Sequence, residues 1–245
     1  MSSAVRRIAG TRSVSSAPLR SATSTLEEAT PLISRDAIWM TWEAPLNFDD
    51  AATYLVGAAF ALLLRMRGAA CLHAGAVAEG PSVTAFAGPA GSGKSTAVAA
   101  RVLGGAILIA EDVLPLVVRD GGIVAVPAHA GIRLWPEGAE LLRGDRNAFA
   151  PISPTWDKRI MTADAAHFAT VPRALTSLIF LGDRDAVLTP AEATMLLVAS
   201  SYRPEMLDAE MRRREFEIFA ALAATVSMRS VVAHGHALLQ AGAHV

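Results

Sequence analysis

The sequence predicts an α/β fold with a mixed sheet built around a phosphate-binding glycine loop. Three observations carry this reading. An apolar strand, Val83 to Ala87, runs directly into "GPAGSGKST", Gly88 to Thr96, and a helix rich in Ala and Val follows to Leu103. Turn-rich links on both sides of this unit predict hairpins, which an all-parallel sheet cannot contain. Strand patterns then alternate with helical ones to the end of the chain.

Taken in order, residues 1–47 read as an N-terminal extension, partly flexible or in short strands, and 48–245 as the main domain. The first 26 residues are rich in Ser and Arg and hold no acidic residue, which superficially resembles an organelle transit peptide. No sustained amphipathic helix or apolar signal core follows, so a frayed terminus leading into short strands is expected. A helix is expected over Phe48–Met66, with Leu55, Ala58, Ala59, Leu62 and Leu63 on one face. Strands Ala70–Ala78 and Val83–Ala87 follow, joined across Glu79-Gly80-Pro81-Ser82. After the loop and its helix, Ala106–Ala110 reads as a short buried strand ending at Glu111-Asp112. Leu114–Arg119 and Gly122–Val126 form a hairpin around Asp120-Gly121-Gly122. A strand from Gly131 reaches Pro136, which is placed to start a helix. Residues 147–154 read as a loop. Strands around 157–161 and 174–181, helices over 190–199 and 205–222, a last strand in "VSMRSVVAH" and a short helix in "GHALLQAGAHV" complete the chain.

Composition narrows the function classes. Net charge is −1, only 18% of the 245 residues are charged, and no basic footprint for nucleic acid or a membrane surface exists. The longest apolar run, Tyr54–Leu64, is far short of the roughly 20 residues that span a bilayer. A single cysteine, Cys71, fits a cytoplasmic chain and reads as a small buried hydrophobe. The basic residues are 20 Arg and two Lys, Lys94 and Lys158. Where Lys persists against that bias, a compact flexible ammonium is needed.

The loop matches G-x-x-x-x-G-K-[ST] through Gly88, Gly93, Lys94 and Ser95. In such a loop the backbone N–H groups of Gly88, Pro89, Ala90, Gly91, Ser92, Gly93, Lys94, Ser95 and Thr96 (proline excepted) surround phosphates. Lys94 reaches the outer phosphates and the Ser95 hydroxyl completes a Mg²⁺ shell. Glu111-Asp112 sits at a strand end, where a carboxylate holds Mg²⁺ directly or through water; the alternative is a solvated strand end. Asp112 lies only 18 residues after Lys94, so the two strands are expected to be close neighbours.

These residues resemble a known family. "LHAG" at 72–75, "GPAGSGKS" at 88–95 and "LIAEDV" at 108–113 are similar to the catalytic domain of bacterial HPr kinase/phosphorylase, whose fold is related to phosphoenolpyruvate carboxykinase. "GIRLWPE" at 131–137 and "DKR" at 157–159 resemble the HPr-kinase-related proteins, some of which phosphorylate a serine in lasso-peptide precursors. The chain differs in having Thr96 where the family has an acidic residue, and Glu111 for the first Asp of the acidic pair. The glycine-rich signature of the hexameric enzyme is not recognisable.

The resemblance implies an ATP- and Mg²⁺-dependent kinase that transfers the γ-phosphoryl group to a serine hydroxyl on a small ribosomal peptide or protein, in a chain that forms a homo-oligomer. Alternatives are a small-molecule kinase for an amino acid or sugar, and a non-catalytic ATP-binding sensor. Asp112, Glu111, His73 and Lys94 are the implied catalytic residues, and Ser95 and Asp112 the metal-holding pair. His73 orients the base or touches the phosphoryl group, or is simply structural. Arg133, Lys158 and Arg159 are candidate phosphate or substrate contacts, against an ordinary surface ion pair with Asp157. Trp135 is read as core packing rather than base stacking, the Arg212-Arg213-Arg214 run with Glu210 and Glu215 as a solvated helix face, and the remaining histidines show no metal spacing.

Overall fold

The computed structural model describes residues 6–8 and 29–232. Three short strands, β1 (Arg6–Ile8), β2 (Ala29–Ile33) and β3 (Ile38–Trp42), form an antiparallel sheet with β3 in the middle. The helix that follows begins at Asn47. Its side chain accepts from the backbone of Asp49 and Asp50 while Asp50 reaches back to the Asn47 N–H, a capping box. The expected helix is continuous over its whole length but changes gauge: α1 (Phe48–Tyr54), a π-helical turn over Leu55–Ala59, then α2 (Phe60–Met66). Ile38, Met40, Ala51, Leu55, Ala59 and Leu63 make one small core, so the apolar contacts cross the boundary between residues 47 and 48.

The expected strand Ala70–Ala78 is two strands. β4 (Ala70–Leu72) and β5 (Ala74–Glu79) break at His73, whose N–H donates to the Ser200 carbonyl at 2.7 Å rather than to a ladder. The break sends the two halves into different sheets. β6 (Ser82–Ala87) pairs with β5 and leads through the glycine loop into α3 (Lys94–Leu103), and β7 (Ile107–Ala110) ends at the acidic pair. β8 (Leu114–Arg119) and β9 (Gly122–Ala125) form the expected hairpin. β10 (Gly131–Leu134) enters α4 (Pro136–Arg143), which Pro136 opens at its first turn and left-handed Gly144 closes. Within the expected loop, β11 (Ala150–Pro151) pairs with β12 (Arg159–Thr162). β13 (Arg173–Ala174), β14 (Ser177–Gly182) and β15 (Ala186–Val187) precede α5 (Pro190–Ala199), α6 (Ala209–Thr225) and β16 (Ser227–Val232). α6 starts later than expected because Asp208 caps it and a 3₁₀ turn over Pro204–Met206 takes the preceding residues. The helix expected in the last residues lies outside the described ones.

The central sheet has six strands in the order β15-β16-β14-β6-β5-β7. β14 runs parallel to β6 and β16, while β5 is antiparallel to both β6 and β7, so the sheet is mixed as expected. The loop strand β6 and the acidic strand β7 are not adjacent: β5 lies between them and makes them parallel. Alternation decides the faces. Ala74, Ala76, Ala85, Ala87, Leu178 and Phe180 enter a core shared with the β13-β9-β8-β4 sheet and α5 and α6. Val77, Phe86, Ile179 and Leu181 point the other way, against α3, β10 and β12. Burial on both faces explains the near-continuous apolar runs in these strands.

The buried side of α6 corrects one expectation. Arg213–Glu217 and Arg214–Glu210 are exposed pairs, but Glu215 is buried and receives Arg65 Nε at 2.9 Å and the Cys71 N–H at 2.8 Å. Arg65 also donates to the Cys71 carbonyl and to Ser201. This network ties α2, β4 and α6 together directly behind His73. Cys71 is buried as expected, and burial pushes its thiol up to about 12. Among the described residues no helix is long and apolar enough to cross a membrane.

Candidate functional site

The glycine loop owes its shape to positions where a side chain does not fit. Gly88 has φ +143°, and a methyl group there would lie 2.5 Å from the Leu181 carbonyl oxygen of β14. Gly93, at φ +91°, opens α3 without any side-chain cap, so the first N–H groups of the helix keep their hydrogen-bonding capacity for something else. Ser92 Oγ is buried in the loop with no partner. The Lys94 ammonium folds back on the loop and donates to the carbonyls of Gly88 and Pro89, at 2.8 Å each. Burial holds it below the usual lysine range, opposed by the charges of Asp112 and Glu111.

The acidic pair closes on this loop. Ser95 Oγ donates to Glu111 Oε1 at 2.7 Å. Glu111 Oε2 accepts from the Arg133 N–H at 3.3 Å and faces the Arg133 guanidinium at 3.5 Å. Burial raises the Glu111 carboxyl above the usual range and Arg133 opposes that rise. Asp112 stands in the left-handed region at φ 65°, a conformation costly for a residue with a side chain. That twist turns it away from Glu111's path. Its Oδ2 accepts from Arg133 Nη2 at 2.8 Å and its Oδ1 lies 3.4 Å from His73 Nε2. Although burial works against the Arg133 charge, Asp112 and Glu111 outweigh it and keep the guanidinium above its ordinary value.

His73 sits at the strand break, edge-on to Tyr202 with ring centroids 5.7 Å apart. Burial and then Lys94 hold its pKa below the usual histidine range, against the pull of Asp112, which favours the neutral imidazole. Tyr202, which the sequence reading did not single out, is pushed up to about 12 by burial and by Asp112. The π-helical turn completes this wall. A methyl group on Gly57 would lie 3.1 Å from the Tyr202 hydroxyl and 4.0 Å from Arg133 Nη1.

The structure thus brings Lys94, Ser95, Glu111, Asp112, His73 and Arg133 together, and it bonds Ser95 to Glu111 where the sequence had grouped Ser95 with Asp112. Lys158 lies at the edge of the set: its ammonium stands 4.9 Å from the centre of the Trp135 ring, and its charge is felt at Lys94 and His73. Trp135 is 55% exposed, which corrects its assignment to the core. Arg159 instead donates to Asn147 on a neighbouring loop, and neither basic residue is in an ion pair with Asp157. The signals for Tyr202 and Gly57 were weak ones: one of two tyrosines in the chain, and a lone glycine inside an apolar helix.

The residues present fit a magnesium–nucleoside triphosphate. The uncapped start of α3, the orphaned Ser92 hydroxyl and the Lys94 ammonium suit a chain of phosphates. Among the described residues no group of three or more His, Cys, Asp or Glu side chains could hold a metal alone. One or two carboxylates with a serine are nonetheless the usual protein share of a Mg²⁺ shell, with phosphate oxygens and water supplying the rest.

Fold and site together define a mixed α/β protein with a strand–glycine loop–helix unit facing an acidic pair, Glu111 buried and Asp112 half-buried. No family model and no curated protein matches the chain. Among solved structures it is similar to the Hpr(Ser) kinase/phosphatase from Coxiella burnetii, at 16% identity over 48% of this chain and 77% of that one, with a TM-score of 0.33.

Proposed function

We propose that the chain is an ATP- and Mg²⁺-dependent kinase that transfers the γ-phosphoryl group to a serine hydroxyl on a small ribosomal peptide or protein. The observation that carries this reading is the division of the acidic pair: Glu111 is bonded to Ser95 of the glycine loop, while Asp112, one residue on, is turned toward His73. Phosphoryl transfer needs those two functions side by side, one carboxylate on the metal side and one free to take the acceptor's proton.

In this reading Ser95 and Glu111 hold Mg²⁺, which when bound neutralises charge on the phosphate oxygens. Lys94 leaves the Gly88 and Pro89 carbonyls for the outer phosphates. Asp112 would accept the proton of the serine hydroxyl as its oxygen attacks the γ-phosphorus and the bond from that phosphorus to the β,γ-bridging oxygen breaks, releasing ADP, and His73 would hold the Asp112 carboxylate in place. Arg133, bonded to both carboxylates, opposes the rise that burial imposes on Glu111 and can steady charge on the transferring group. The serine acceptor is supported by the likeness of "LHAG", "LIAEDV" and "GIRLWPE" to HPr-kinase-related sequences. The test is incubation of the purified chain with Mg·ATP and a pool of serine peptides, the same peptides with Ser→Ala, and free serine. Label on the serine peptides alone is expected. Label on free serine instead would overturn the peptide acceptor in favour of a small-molecule kinase.

A further inference from the structure

A cavity of about 460 Å³ opens at the start of α4, and none of the residues that line it has a role in the transfer described above. It is lined by Trp135 and the start of α4, Pro136 and Glu137, by Arg146, which is paired with Glu137 and Glu140, and by Asn147, Asp157 and Arg159. Its position is fixed by α4. Gly138, in the first turn of that helix, approaches Thr96 so closely that a methyl group would lie 2.9 Å from the Thr96 hydroxyl. The start of α4 therefore packs on the first turn of α3, and Lys158, which stands over the Trp135 ring at the cavity, is near enough for its charge to be felt at Lys94.

We propose that this cavity takes the purine base of the nucleotide, with the Trp135 indole as its stacking platform. The inference rests on the nucleotide reading of the glycine loop. A triphosphate with its outer phosphates at Lys94 has its inner phosphates at the loop amides, and its nucleoside would then extend toward the start of α4, which packs on Thr96. The chemistry of the walls matches a base. Trp135 offers an exposed aromatic face at the mouth of a site that is otherwise polar. The Lys158 ammonium holds one face of the indole and fixes its plane, and a planar base needs only the other face. Asn147 Oδ1 accepts from Arg159 Nη2, which leaves the Asn147 amide hydrogens to donate to ring nitrogens or a carbonyl. Asp157 supplies an acceptor for an exocyclic amine or ring N–H. Arg159 Nε is buried without a partner on the same wall.

Calorimetric titration of the full chain with Mg·ATP and with Mg·tripolyphosphate, which has the phosphates and no base, separates this inference from the reading beneath it. Both ligands bind the wild-type chain and neither binds Lys94→Ala. Trp135→Ala weakens ATP about tenfold, the contribution of one stacked base, and leaves tripolyphosphate within twofold; Trp135→Phe keeps most of the ATP affinity. If Trp135→Ala weakens both ligands equally or neither, the base does not stack there. ATP binding unchanged in Trp135→Ala with transfer lost would give the cavity to the acceptor and overturn the proposal. Failure of the wild-type chain to bind either ligand would remove the nucleotide reading itself.

Discussion

Ser95 Oγ donates to Glu111 Oε1 at 2.7 Å, joining the first turn of α3 to the end of β7 although β5 separates β7 from the strand that leads into α3. In the proposed reading the bond makes Glu111 the metal-side carboxylate of the pair. Glu111→Gln keeps the size and the contact with Ser95 but loses the charge, so the Mg²⁺ concentration for half-maximal transfer should rise about 10- to 100-fold. A magnesium titration of initial rates checks this, and an unchanged requirement would move the metal to Asp112.

Gly57 and the Tyr202 hydroxyl are packed at the limit of contact. Gly57→Ala gains helix propensity of about 1 kcal/mol, but its methyl group would press on the hydroxyl of the buried Tyr202. In the Tyr202→Phe background the pressure is gone. A double-mutant cycle in urea should therefore give a coupling energy of roughly 1 kcal/mol, with alanine at 57 more favourable beside phenylalanine. Additive changes would show that the π-helical turn does not press on the site.

The Arg65–Glu215 pair is 1% and 5% exposed, and removing one member leaves a buried charge alone. Glu215→Ala should cost about 3–5 kcal/mol, and Arg65→Met with Glu215→Leu much less, because the desolvation of both ions is then avoided. Chemical denaturation of the two variants gives the comparison. Because Cys71, Ser201 and thereby the His73 and Tyr202 segments hang on this pair, Glu215→Ala should also slow transfer.

Burial and Lys94 both lower the His73 pKa. The unfolded chain then binds a proton just below pH 6.5 that the folded chain does not, so the stability from a neutral His73 is present above 6.5 and lost as pH falls through that interval. Lys94→Ala removes one lowering cause, and the His73 imidazole should titrate higher in that variant. NMR titration of His73 reads this directly, and a value at or above 6.5 in the wild-type chain would contradict it.

What the sequence made legible was local. The glycine loop, its strand and helix, the acidic pair and the Asp120-Gly121-Gly122 hairpin are each written within about ten residues, and the structure has them in place. His73 was visible as a residue but not as a strand break, because apolar Ala70–Ala78 reads as one strand until Ser200 takes the His73 N–H. Trp135 looked like core because tryptophan usually is, whereas here α4 turns it outward beside Lys158. Tyr202, Gly57 and the Arg65–Glu215 pair were beyond reach for one reason. Their partners lie some 75 to 150 residues away, and no period or spacing in the chain encodes those meetings.

The central claim, transfer of phosphate by the Lys94–Asp112 machinery, is tested most directly by mass spectrometry of a serine peptide after incubation with Mg·ATP and the wild-type, Lys94→Ala or Asp112→Asn chain. The account predicts a gain of about 80 Da with the wild type alone, and an Asp112→Asn chain that still binds ATP but transfers at least about a hundredfold more slowly, the loss of a general base. Equal transfer by Asp112→Asn and the wild type, or ATP binding with no gain on any serine acceptor, would contradict it.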